Sequence, residues 1–323
     1  MTTPARQTGF SLVELMIAGV LGLLLLAGVV TITMNSSRTQ RAMEQVGRQV
    51  ENGRYAIATL REAVEHAGYY GEYYNLAGSP GSLPNPCSTT LSNLRSALPL
   101  PIQGYDDPSG APPITCLTDA EHRDGTDILV LRRASTAATT DPSTLTAGEV
   151  YLQTRATNRV LDTGGSGSFT LTKRDGTTTA NIRKYHVEIY FIGPDADNVP
   201  TLKRLVLRQS GGALGFSTEE LVSGIEYFEV EYGIDRTGDG SPNPTAAGAG
   251  DAYVTTPTLA QLADTVALKI NIIARSIDTF PGYNDEKTYA LGQETDVGPL
   301  NDGYRRRAYS TTVRANNIAL RRE

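Results

Sequence analysis

Apolar and polar positions fall into two regimes along the chain. From Phe10 to Val30 the sequence is apolar except for Ser11, Glu14 and small residues. A helix there, rising about 1.5 Å per residue, roughly matches a ~30 Å hydrocarbon layer. Further on, Val46, Val50, Gly53, Ile57, Leu60, Val64 and Ala67 recur at alternating intervals of four and three, while Arg48, Glu51, Arg54, Arg61, Glu62 and Glu65 fall on the remaining faces. That spacing predicts an amphipathic helix with a period of about 3.5. No proline stands between Arg6 and Pro80, so one helix is predicted from about Phe10 to about Ala67, with Gly68 as its stop. Its first half suits lipid. Its second half either docks on a globular domain or pairs as a coiled coil.

After Gly68 the period changes. Gly, Pro, Ser and Asn dominate as far as Thr90, which reads as loop. Strands are expected at Thr126 to Arg133, Ser168 to Thr172, Tyr185 to Ile192, Leu202 to Arg208, Ile225 to Ile234, Thr265 to Arg275 and Tyr309 to Leu320, all rich in β-branched and aromatic residues. In the sixth run Val266, Leu268, Ile270 and Ile272 share one face, the side expected to meet the core. Two low-complexity spacers, Ala134 to Gly148 and Gly238 to Gly250, read as surface loops. The expected fold class is therefore α+β, a long N-terminal helix against a β-rich domain.

Composition narrows the setting. The net charge of -6 argues against direct nucleic-acid binding, whose signature is a basic stripe. Only two cysteines occur, Cys87 and Cys116, with neither CxxC spacing nor neighbouring histidines for zinc, so a single disulfide and an oxidising compartment are expected. A secretory signal peptide is the rival reading of the apolar run. The run is longer than the usual signal core, and no small-x-small site follows it.

The stretch "GFSLVELMIA", Gly9 to Ala18, resembles the leader junction and first helix of type IV pilins and pseudopilins. The resemblance implies cleavage by a prepilin peptidase between Gly9 and Phe10, methylation of the new Phe10 terminus, and an assembly role for Glu14 as the fifth mature residue. It divides the chain into a leader (1–9), a membrane and filament-core helix (10–33), an amphipathic continuation (34–67) and a periplasmic or extracellular β-rich domain (68–323). Within that family, "QVENGRYAIATLREAVEHAGYYG", "GTDILVLRR", "VEYGIDRTGDG" and "YRRRAYSTTVRANNIALR" are similar to the PilW branch of minor pilins. The implied partners are other minor pilins, the major pilin, the inner-membrane assembly platform and a tip adhesin. The implied location is the inner membrane before assembly and the pilus, at its tip, afterwards.

No catalytic constellation is visible. His66, His122 and His186 are scattered, and neither a nucleophile elbow nor a phosphate-binding loop is present, so no enzyme and no organic cofactor are expected. One segment resembles a calcium loop: Asp235, Thr237 and Asp239 alternate before Gly240. Thr237 departs from the Asp or Asn of such loops, Ala246 replaces the terminal Glu, and a plain Asp-Gly turn explains the same residues. Arg305, Arg306 and Arg307 read either as a phosphate patch or as a solvated strand edge. The function expected is a minor pilin that helps to initiate pilus assembly and enters the filament. A minor pseudopilin of type II secretion and a membrane-anchored adhesin or binding protein that never polymerises are the alternatives.

Overall fold

The computed structural model describes residues 9, 11–74, 80–106, 110–243, 250–293 and 296–322. One helix, α1 (Leu12–His66), opens it. Two compact units divide the chain, the first ending at Arg48 and the second beginning at Gln49, and α1 runs through both.

In the first unit the helix is formed largely by Leu, Met, Ala and Val. Thr31, Thr33 and Thr39 satisfy their hydroxyls within the helix by donating to the carbonyls of Ala27, Val29 and Asn35, four residues back. Its large apolar side chains from Leu12 to Met34 are exposed.

The second unit begins with the rest of α1, where Gln49, Gly53, Ala56, Leu60, Ala63 and Val64 are buried. The stripe keeps the predicted period, but it centres one residue off the expected row; Val46, Val50 and Ile57 are half-buried flanks. Gln49 went unread because it is polar. Its amide donates 2.8 Å hydrogen bonds to the carbonyls of Ala274 and Arg305, tying α1 to one strand and to the residue that precedes another. Gly53 is required by close approach: a Cβ there would lie 2.3 Å from a ring carbon of Tyr309. The helix stops where Gly68 takes a positive φ of 71° and donates its N–H to the carbonyl of Arg132. Asn317 and Arg321, from the far end of the chain, donate to the carbonyls of Glu65, Ala67 and Gly68, satisfying groups that a helix end leaves open.

Two antiparallel sheets follow. Strands β1 (Ile102–Tyr105), β2 (Ile128–Ala134), β3 (Val150–Arg155), β4 (Asn158–Thr163), β5 (Ile182–Pro194), β6 (Pro200–Ser210) and β7 (Ala213–Ser223) form a seven-stranded sheet. Its order is β1-β2-β5-β3-β4, and β6 and β7 continue from β5. Strands β8 (Ile225–Ile234), β9 (Ala252–Val254), β10 (Thr265–Arg275) and β11 (Arg306–Arg314) form the second sheet, ordered β11-β10-β8-β9. Asp127 stitches the sheets together: its N–H donates to the carbonyl of Phe228 and its carboxylate accepts the N–H of Val230.

Period-2 alternation decides what each face meets. Leu129 and Leu131 of β2, with Tyr190 and Ile192 of β5, join the core shared with α1 and with Phe228, Val230, Leu268, Ile270 and Ile272 of the second sheet. Ile128, Val130, Val187, Ile189 and Phe191 point the other way, into a second core under α2 (Leu91–Ala97) and the Ile114 to Leu117 loop. The face predicted for Val266, Leu268, Ile270 and Ile272 is buried throughout.

Several strand expectations need correction. Ser168 to Thr172 is not a strand but a turn region with an isolated bridge from Thr172 to Thr179. The last run ends as a strand at Arg314; the short helix α3 (Leu259–Ala263) precedes β10, and Asn316–Ala319, after β11, forms the short helix α4. Short β1 and β9, the β3–β4 hairpin and β7 escaped prediction. In β7, "ALGFSTEELVS" is too polar to show a clean alternation, and it is paired on one side only, by β6.

Candidate functional site

The N-terminal segment is built from very little. Gly9 has nothing within 4 Å of the place a Cβ would occupy, and Phe10 lies outside the described residues. Glu14, in the first turn of α1, accepts a 3.4 Å hydrogen bond from the N–H of Ser11. A carboxylate in the first turn is favoured by the open N–H groups and dipole of a helix start. The same position places a negative charge at the mouth of an otherwise apolar rod. Leu12 to Met34 present every face bare, which water does not tolerate in a monomer at this scale; lipid or other helices must cover it.

Residues 4–30 match the family model for the prokaryotic N-terminal methylation motif, and residues 189–317 match that for Type IV Pilus-assembly protein W. The chain is a type IV minor pilin of the PilW kind. The PilW-type match begins inside β5 and runs through both sheets into α4. No curated protein sequence matches the chain. Among solved structures, a type IV-like pilin from Thermus thermophilus aligns over 86% of this chain and 98% of its own, with 12% identity and a TM-score of 0.33. The motif and the apolar helix make this PilW-type chain a membrane-anchored, pilus-associated protein.

Cys87 and Cys116 are joined by a disulfide, their Cα atoms 5.4 Å apart. Both cysteines pack against the second core, so the bond pins the loop covering the outer face of the seven-stranded sheet.

The aspartate loop after β8 gains a member that spacing did not reveal. Carboxylates of Asp235, Asp239 and Asp251 come within 4.8 Å of one another. Their capacity is largely spent, however, since a carboxylate offers about four acceptor sites. Asp235 accepts the N–H groups of Gly238 and Gly240 at 2.7 and 3.0 Å, and Arg322 Nε at 3.0 Å. Asp251 accepts the N–H groups of Arg236, Thr237 and Asn243. Thr237 donates its hydroxyl to Asp235, 3.1 Å away, rather than offering it to a cation. Burial favours protonated Asp235, but the two glycine N–H groups and Arg322 outweigh it and hold the carboxyl below its ordinary range. The arrangement is that of a turn closed by an arginine. Ala246 lies outside the described residues.

The arginine triplet needs a firmer correction. Arg305 and Arg307 are exposed as expected, but Arg306 is buried, its side chain 1% accessible. It bonds Glu226 at 2.5 Å, Asp285 at 2.9 Å and Asp302 at 2.6 Å. Burial opposes its charge, yet these carboxylates push the guanidinium pKa above its ordinary value. Alternation along β11 contains the signal: neighbours in a strand face opposite ways, so three consecutive arginines cannot all be solvated on one edge.

The histidines remain apart. His66 Nδ1 lies 2.8 Å from the carbonyl of Glu62, His122 Nε2 lies 3.1 Å from that of Thr126, and His186 sits on β5.

Proposed function

We propose that this minor pilin acts without catalysis, as a subunit of the complex that starts type IV pilus assembly near the filament tip. The observation that carries the reading is the pairing, on one chain, of a prepilin motif and a PilW-type domain with a bare apolar stretch of helix, Leu12 to Met34, in which Glu14 is the one acidic or basic residue. Cutting after Gly9 creates an amine on Phe10, one helical turn from Glu14. In a bundle of such helices the amine of one subunit meets the carboxylate of another. An unpaired carboxylate in hydrocarbon costs roughly 2.5 to 3.5 kcal/mol at its centre. Register is therefore selected, because a slipped neighbour leaves two charges unmatched. The partners in this reading are other minor pilins, the major pilin, the prepilin peptidase and the assembly platform. Glu14→Leu is expected to insert and be cleaved normally, yet to fall about tenfold or more in sheared pili relative to the major subunit, in keeping with a lost buried charge pair. Unchanged incorporation, measured by quantitative mass spectrometry, would remove the assembly role.

A further inference from the structure

We propose that the chain modifies itself once, forming an amide bond between the side chains of Lys269 and Asn271, with Glu231 as proton carrier and Ser310 as donor to the reacting carbonyl. Register brings the four together: Lys269 stands opposite Glu231 of β8, and Asn271 opposite Ser310 of β11. Alternation turns Lys269 and Asn271 away from the face that carries Leu268, Ile270 and Ile272 into the core. Glu231 Oε1 accepts both Lys269 Nζ at 2.8 Å and Asn271 Nδ2 at 3.2 Å, so nucleophile and leaving group share one oxygen. Gln293 Nε2 occupies the other oxygen at 2.7 Å, which leaves Oε1 to carry the proton. A carboxylate only accepts, and this fixes the Asn271 NH2 toward Glu231 and its Oδ1 toward Ser310, whose hydroxyl donates to it at 2.7 Å. Gly292 closes the site: at a φ of 71° its backbone passes so near that a Cβ there would collide with Glu231 Oε1 and Asn271 Nδ2. Glu231 and Asn271 are buried beneath it, and Lys269 is half-buried.

The step balances without an outside reactant. Lys269 passes one proton to Glu231 Oε1, and the nitrogen lone pair attacks Cγ of Asn271. The carbonyl electrons move onto Oδ1, where the Ser310 hydroxyl meets the charge as it develops. Collapse of this adduct breaks the Cγ–Nδ2 bond. Glu231 returns its proton to Nδ2, a second proton follows from the former lysine ammonium, and the nitrogen of the amide leaves as ammonium ion. One Nζ–Cγ amide remains, with Glu231 and Ser310 unchanged. Orientation outweighs the scarcity of free amine: an ordinary lysine is uncharged in roughly 1 of 2,500 molecules at pH 7, whereas well-placed groups reach effective molarities on the order of 10⁵ to 10⁸ M. The bond has to form only once in the lifetime of a chain. Lys269 and Asn271 stand on one side of the pleat, about 7 Å apart along β10, so the linked side chains hold this inner strand extended.

The test is peptide mass spectrometry of the full-length chain, purified in neutral detergent micelles and digested with trypsin. The expected product is a peptide that runs uncut through Lys269 and is lighter by one ammonia, with fragmentation placing the link between Lys269 and Asn271. Lys269→Arg keeps a cation beside Glu231 but offers no amine, and should retain the ammonia. Glu231→Gln removes the proton carrier and should leave the chain unlinked. Ser310→Ala, at an exposed position, should slow linking by about a hundredfold, as loss of an oxyanion donor does, read as the linked fraction at successive times after a pulse of synthesis. Cleavage at Lys269 into two peptides of unmodified mass would overturn the proposal. Loss of ammonia in Lys269→Arg would overturn it too, by assigning that loss to cyclisation of Asn271 onto its own backbone, as would a link from Lys269 to Gln293. The parent chain tests the bond directly, and circular dichroism of the three variants separates lost chemistry from lost fold.

Discussion

The two stretches of α1 on either side of Arg48 are one continuous helix with opposite relations to their surroundings. In the first, the large apolar side chains from Leu12 to Met34 are exposed. In the second, six residues from Gln49 to Val64 are buried against strands of the same chain, with charged residues turned outward. The difference teaches where each segment's stability comes from. The later stretch gains from burial within the domain, and the earlier one can gain only from lipid or other subunits.

That contrast can be broken from the domain side first. Arg306→Met leaves Asp285 buried without its cation and Glu226 with only the longer contacts to Arg123 and Arg275, so thermal or denaturant unfolding of the second unit should show a loss of about 3 to 5 kcal/mol. A loss below about 1 kcal/mol, as at exposed ion pairs, would mean that the cluster is solvated after all. Replacing both Cys87 and Cys116 by serine opens a loop of 29 residues. The expected decrease in unfolding free energy is about 3 to 4 kcal/mol by the chain-entropy model, read from denaturant midpoints of the oxidised protein and the variant.

A matched pair of glycines sharpens the comparison within one helix. Gly53→Ala pushes a methyl into the Tyr309 ring and should cost about 1 to 3 kcal/mol. Gly22→Ala has nothing within 4 Å to meet and should not lower the melting temperature of the domain. Equal effects at the two sites would deny that only the later stretch is packed within the chain. The smallest effect concerns pH. His186 has a folded pKa of about 4, below the ordinary 6.5 of an unfolded histidine. Between these values the unfolded chain binds the extra proton, so the contribution of a neutral His186 is present above about pH 6.5 and lost as pH falls toward 4. His186→Gln should flatten this part of a stability-versus-pH curve; an unchanged slope would show that the imidazole is solvated.

Much of this was legible in the chain because it depends on neighbours in sequence. The 3.5 spacing specified α1, uninterrupted β-branched runs specified β2, β5, β6, β8 and β10, and Gly9, Phe10 and Glu14 stood at motif spacing. Ser168 to Thr172 misled because its alternation is local while strand formation needs a partner, and only Thr172 finds one. β7 was hidden for the reverse reason: its polar sequence becomes a strand by pairing with β6.

By itself, then, the sequence determined the bare apolar helix, the position of Glu14 in its first turn, and the alternation that gives β10 a buried face, since each follows from the geometry of consecutive residues. The tertiary structure alone decided that Gln49 would tie α1 to β10 and to the residue before β11, that Asp251 would join Asp235 while Arg322 paired with Asp235, and that Arg306 would be an interior cation. Those outcomes depend on which distant groups arrive beside a side chain, and a buried polar group is stable only where such partners arrive.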